Sequence, residues 1–200
     1  MSPFRRATKR DYLLALAVSL VMIAAATGFV MLGDRYTRSH PPAAAPADLC
    51  SAIGIPVFER LVPAAARVTE ATYSSGGDAA CYYITRDSPP GNDGYGLLHV
   101  RLLRYGGFFW RSGTARASNA LDHVCDGPAV AGQLHDATGL GDEACAADSD
   151  EGPGGTGASS VILRRGADVI WIDYSRHPAT TAQTQQAVVD VAMAALAGVP

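Results

Sequence analysis

Apolar and polar positions divide the chain into unlike parts. From Tyr12 to Leu32 the run YLLALAVSLVMIAAATGFVML holds 21 residues and no charge. At helical rise it spans about 31 Å, enough to cross a bilayer core. A core helix of a small domain carries polar residues on its outer face, whereas here only Ser19 and Thr27 interrupt apolar and small residues. Residues 33–47 show neither helical spacing nor strand alternation, and Pro41, Pro42 and Pro46 among alanines read as a stiff linker.

Beyond the linker the pattern is that of a folded domain, residues 48–200. Asp48 stands at an N-cap position before Leu49. A weak helix runs to Gly54, Pro56 interrupts it, and Val57–Val62 resume it until Pro63. Ser74–Ala79 reads as a small-residue loop, CYYITR (81–86) as a strand, and DSPPGNDG (87–94) as a turn. GLLHVRLLRY (96–105) alternates cleanly, with Leu98, Val100 and Leu102 facing one way and His99 and Arg101 the other. TARASNALDHVC (114–125) places Ala117, Leu121 and Val124 on one helical stripe. Residues 129–138 read as a second short helix, with Val130 and Leu134 inward. SVILRR and DVIWIDYSR form a hairpin about Gly166, with Ile170, Ile172 and Tyr174 on one face and Val169, Trp171 and Asp173 on the other. A terminal helix covers Thr180–Leu196, capped by Thr180 or Thr181 and striped by Val188, Val191, Ala192 and Ala195. The expected class is α+β: an N-terminal transmembrane helix, then one domain with an antiparallel sheet covered by helices on one face.

Charge orients this arrangement. Arg5, Arg6, Lys9 and Arg10 precede the apolar run, and only Arg35 and Arg38 follow closely. That excess favours a cytoplasmic basic tail, residues 1–11, and a domain outside. A cleaved signal peptide is the competing reading, with a small-residue site within Ala43–Ala47, but its apolar region is shorter than this one. Residues 48–200 carry ten arginines against seventeen acidic residues, net −7. Such a surface has no electrostatic footprint for nucleic acid and is repelled by anionic headgroups, so the anchor and not the surface holds the domain near the membrane.

All four cysteines, Cys50, Cys81, Cys125 and Cys145, fall outside. An even count in an oxidising compartment reads as two disulfides. Of three connectivities, the sequential one, Cys50–Cys81 and Cys125–Cys145, closes modest local loops. Zinc is the alternative, against which no CxxC pair occurs.

Candidate chemistry is sparse. In TGLGDEAC (138–145), Gly139 and Gly141 permit positive φ and Asp142 can cap amides, so the stretch reads as a structural turn leading into Cys145. As a phosphate loop it lacks a following Lys, and Asp142 and Glu143 repel anions. The acidic run 142–151 reads as a solvated loop; Pro153 stands where a calcium loop needs glycine. No serine lies in G-x-S-x-G, and the histidines are scattered. No catalytic residue, metal ligand or cofactor is therefore assigned. GGFFWRSG (106–113) stands out, three aromatics bracketed by glycines. Phe108, Phe109 and Trp110 read either as a plug at the core edge or as an apolar lip for a ligand or partner, with Arg101, Trp171 and Asp173 supplying contacts beside it.

DLC (48–50), ACYYI (80–84), GLGDEA (139–144) and the closing VIWIDYS and AVVDVAMAALAG carry a resemblance. The outer domain resembles small secreted or membrane-anchored actinobacterial proteins of unknown function, many of them lipoproteins, with a D-x-C start and a Gly-Leu-Gly-Asp-x-Ala segment. It is similar, more distantly, to the extracellular sensor domain of a mycobacterial receptor serine/threonine kinase, which has paired disulfides and a ligand cleft. The chain departs from these in having no lipobox cysteine and only about eleven residues before the apolar run. The resemblance offers no catalytic residues and implies a sensor-like or binding module of the cell envelope. Three functions stay open: a ligand-binding module, an interaction or accessory subunit of a membrane complex, and a hydrolase.

Overall fold

The computed structural model describes residues 9–86, 94–126, 133–150 and 155–200. Helix α1 (Lys9–Ser39) contains the whole apolar run and continues seven residues past Leu32, into the stretch read as linker. From Leu16 to Leu32 its large apolar side chains expose more than half of their surface, which no core helix does. It is long and apolar enough to cross a membrane.

Two short helices follow, α2 (Leu49–Ile53) and α3 (Ile55–Leu61), broken at Gly54. Asp48 caps α2 by accepting from the Ser51 amide, and Pro56 lies in the first turn of α3, where its missing N–H is no loss. The strands are β1 (Ala65–Arg67), β2 (Tyr73–Ser75), β3 (Asp78–Thr85), β4 (Tyr95–Arg104), β5 (Gln133–Asp136), β6 (Glu143–Asp150), β7 (Gly157–Arg165) and β8 (Asp168–His177). They form one antiparallel sheet in the order β1-β3-β4-β8-β7-β6-β5, with β2 pairing β3 off that path. Helix α4 (Gly113–Cys125), capped by Ser112, carries the chain from β4 towards the far edge. The strands then meander back until β8 pairs with β4 over ten residues. Helix α5 (Thr181–Gly198) starts with a capping box of Thr180 and Gln183.

The main core lies on one sheet face, where α2, α3 and α5 meet Leu98, Val100, Leu102, Ile170 and Ile172. Burying those aliphatic side chains is worth about 2 kcal/mol apiece. This face is the expected helix-covered one. Helix α4 adds cover to the other face, where Ala117 and Leu121 pack on Ile162 and Val169 in a second, smaller core. The cysteines pair sequentially, Cys50–Cys81 and Cys125–Cys145. One bond ties α2 to β3 and the main core; the other ties α4 to β6 and the second core. Arg104 reaches the Ala44 and Pro200 carbonyls and lies 3.3 Å from Asp168, so the linker, the C-terminal residues and the sheet end meet at one buried cation.

Three segments differ from the pattern reading. Ser74–Ala79 is not a loop: it is β2, a turn at Gly76-Gly77, and the start of β3. In the segment read as a short helix, Gln133–Asp136 is strand β5, while Val130 and the Leu134 side chain lie outside the described residues. The acidic run read as a loop is strand β6 as far as Asp150. Its Ala, Asp and Ser are poor strand formers, and β6 forms because all eight of its residues register along β7. The expected turn 87–94 lies outside the described residues except for Gly94.

Candidate functional site

The TGLGDEAC stretch joins β5 to β6. Gly139 has φ +83° and Gly141 +67°, and a Cβ on Gly141 would meet the Arg164 carbonyl at 2.4 Å. Leu140 between them is buried in the main core. The Asp142 carboxylate accepts from the Gly166 amide at 2.7 Å and from Arg164 Nη1 at 2.9 Å. Glu143 accepts from Arg164 Nε at 3.0 Å and from Ser118 Oγ at 3.1 Å. The Arg164 guanidinium holds the Glu143 carboxyl below its ordinary value, against a smaller upward push from burial. Such charge-assisted bonds are the strong ones. One buried arginine thus ties the β5–β6 turn to the β7–β8 turn and to α4, and the carboxylates are used up in doing so. Among the described residues no group of three His, Cys, Asp or Glu side chains stands close enough to hold a metal ion.

Beside this turn opens a cleft of about 400 Å³ between α5 and β6. Leu140, Ala146, Val161 and Val188 form its floor, Val189 and Met193 its outer wall. Gln185 and Asp148 close its rim through a 2.7 Å hydrogen bond. A mostly apolar concavity of that size with a few polar groups at its edge is the usual form of a small-ligand site. In the pattern Val188 reads as a core stripe position and Leu140 as part of a turn, and neither marks a cleft. A signal was there: in AVVDVAM, Val189 and Met193 are apolar positions off the stripe that α5 turns to the core.

On the sheet face opposite α5, next to the part that α4 covers, β3, β4, β8 and β7 bring Tyr82, His99, Arg101, Trp171, Asp173 and Ser160 into one half-buried row. Arg101 forms a bidentate pair with Asp78 at 2.7 and 3.1 Å and lies 5.9 Å above the Trp171 ring. That guanidinium lowers the Asp78 carboxyl, against burial. Ser160 Oγ donates to Asp173 at 2.7 Å, and His99 Nδ1 lies 3.5 Å from its other oxygen. Burial pushes the Asp173 carboxyl up, but the bonds from His99 and Ser160 outweigh it and hold it low. Serine, aspartate and histidine therefore meet with the carboxylate in the middle. Nucleophile activation needs the imidazole in the middle, taking the serine proton, so this order orients side chains without activating Ser160.

The aromatic lip lies elsewhere. Phe108 and Arg111 exchange two backbone hydrogen bonds, closing a two-residue turn whose central residues, Phe109 and Trp110, have φ +42° and +64°. Two-residue hairpins with both central φ positive ordinarily carry Asn-Gly. For bulky L-residues that backbone costs about 1–2 kcal/mol each. Contacts with α1 offset it. Trp110 packs on Phe29 with ring centroids 4.6 Å apart, and Phe109 lies 6.2 Å from Phe29. A Cβ on Gly33 would strike the Phe109 ring at 2.4 Å. The Phe109 amide donates to Thr37 Oγ1 at 3.4 Å. Gly106 and Gly107 admit His40, Pro42 and Tyr36 in the same close way.

Arg101, Trp171 and Asp173 share one face of the sheet. Phe108, Phe109 and Trp110 are neither a plug of the sheet's core nor the wall of the α5–β6 cleft: they sit against the first helix. Phe29 and Gly33, one helical turn apart, were the missed partners. No family model, curated protein or solved structure matches the chain.

Proposed function

We propose that this is a single-pass membrane protein with a cytoplasmic N-terminus, whose outer domain is a non-catalytic, sensor-like binding module for a small apolar ligand. The exposure of the apolar run, the basic residues before it and the two disulfides beyond it support an uncleaved anchor with the domain in an oxidising compartment. The observation that carries the ligand is the α5–β6 cleft, with its apolar floor and the Asp148–Gln185 rim.

Native mass spectrometry of the full chain released from detergent micelles tests this. The expected result is an adduct mass on the wild-type chain that is lost in the double variant Val189→Asp, Met193→Asp, whose positions are exposed enough to leave folding intact. A bare mass for both chains, with both disulfides in place, sinks the ligand reading. The exposed Val189 and Met193 then favour the second reading, an accessory subunit that meets its partner through α5.

A further inference from the structure

We infer that the Phe108–Arg111 hairpin is a second membrane contact: a tip that dips into the outer bilayer interface beside α1 and fixes how the domain sits on the lipid surface. The inference rests on the reading of α1 as a membrane anchor, because α1 sets the depth of everything packed on it.

Phe29 lies three residues inside the end of the apolar run at Leu32, which is about 4–5 Å along the helix. Trp110 and Phe109 pack on that residue with tilted rings, so they lie at the outer boundary of the hydrocarbon and not above it. Trp there has an apolar body for the acyl chains and an N–H for the wet headgroup layer, the pairing that enriches it in membrane interfaces. Nearly half of the Phe108 and Trp110 surface remains exposed (48% each), although the fold spends positive φ at Phe109 and Trp110 to present this turn. The α1 contacts offset that strain, yet they leave Phe108 and Trp110 facing outward, an arrangement that points to use of the exposed rings. Exposed Arg35 on α1 and Arg111 at the base of the turn stand where headgroup phosphates lie. The outer domain's acidic balance gives no general attraction to anionic lipid, so the contact is local and aromatic. A protein partner at the tip would have to approach from within the bilayer edge, along α1.

The chain has two tryptophans, Trp110 and Trp171, and Trp171 lies on the sheet, which makes depth measurable. The full chain is reconstituted into phosphatidylcholine–phosphatidylglycerol vesicles whose acyl chains carry bromine at a shallow or a deep position. Emission is compared between wild type and Trp110→Phe, the difference being the Trp110 signal. The inference expects Trp110 quenching, stronger for shallow than for deep bromines, with the emission shifted to the blue. If the protein floats with the vesicles but the Trp110 signal is not quenched, the tip does not touch lipid and the inference falls while the anchor stands. If the protein does not float with the vesicles, the anchor reading fails and takes the inference with it. A second variant separates shape from chemistry: Phe109→Asn with Trp110→Gly keeps the turn and relieves its backbone, and should free the domain's orientation without unfolding it. Unchanged orientation in that variant, read by distance from a label on α5 to labelled lipid, would also overturn the inference.

Discussion

Two glycine-bracketed turns in this chain use their glycines in opposite ways. In Thr138–Asp142 the glycines themselves carry the positive φ, the residue between them is buried, and the Asp142 carboxylate finds both a cation and an amide. In Gly106–Gly113 the glycines have no positive φ at all; Gly106 and Gly107 let α1 and the linker approach, while Phe109 and Trp110 take the left-handed backbone. The first turn is what a chain makes to reverse direction at least strain. The second holds side chains outward against their own preference, and only what they touch explains it. Similar local composition thus says little about role; which residue bears the strain says more.

Sharp tests of that contrast start with the staple. Replacing Cys125 and Cys145 with Ala should destabilise the disulfide-bonded domain by about 3 kcal/mol, read by denaturant unfolding, because a 20-residue loop is released beside the glycine turn. Gly141→Ala should lower stability by about 2 kcal/mol, since the new Cβ meets the Arg164 carbonyl as well as adverse φ. Gly139→Ala, with open space around it, should lose only the conformational part, about 1 kcal/mol. Equal losses at the two glycines would show that crowding against β7 is not what fixes the turn. In the other turn the sign reverses: Phe109→Asn with Trp110→Gly should leave domain stability unchanged or raise it by up to about 1 kcal/mol.

Smallest is the acid limb. Arg164 and Arg101 hold Glu143 and Asp78 below their ordinary values. Carboxyls depressed in the folded state stabilise it above their unfolded pKa, and that contribution fades as pH falls through the folded one. Asp168, which burial raises, works the other way. Arg164→Ala should therefore flatten the loss of stability in acid; an unchanged acid limb would mean that the solvent-facing pairs are fully screened.

Much of this was legible in the pattern. The β4 alternation and the α5 stripe follow from period alone, because each has one buried face, while the β7–β8 hairpin shows as two apolar runs about Gly166 that are buried on both faces near the turn. Asp48 and Thr180 announced their helices. Strands β5 and β6 were not legible: EACAADSD lacks β-branched and aromatic residues, and its strand state comes from pairing along β7, a long-range fact. The site was legible only in part. Arg101, Trp171 and Asp173 could be placed on one face from strand parity, but the cleft needs α5 and β6 side by side. The lip's aromatics were visible as unusual, while their partner lay some eighty residues earlier, inside a run that reads as a membrane span and nothing more.

The contact of Trp110 with Phe29 is what sets the second turn apart from the first. Phe29→Cys and Trp110→Cys, introduced together into the full chain reconstituted in phosphatidylcholine vesicles, test it directly, since the native cysteines are all paired. A short bismaleimide should join the two introduced thiols within one chain, and neither single variant should give the product. If both thiols react with the reagent yet no intramolecular link forms, the aromatic turn does not rest on α1, and the contrast between the two turns loses its explanation.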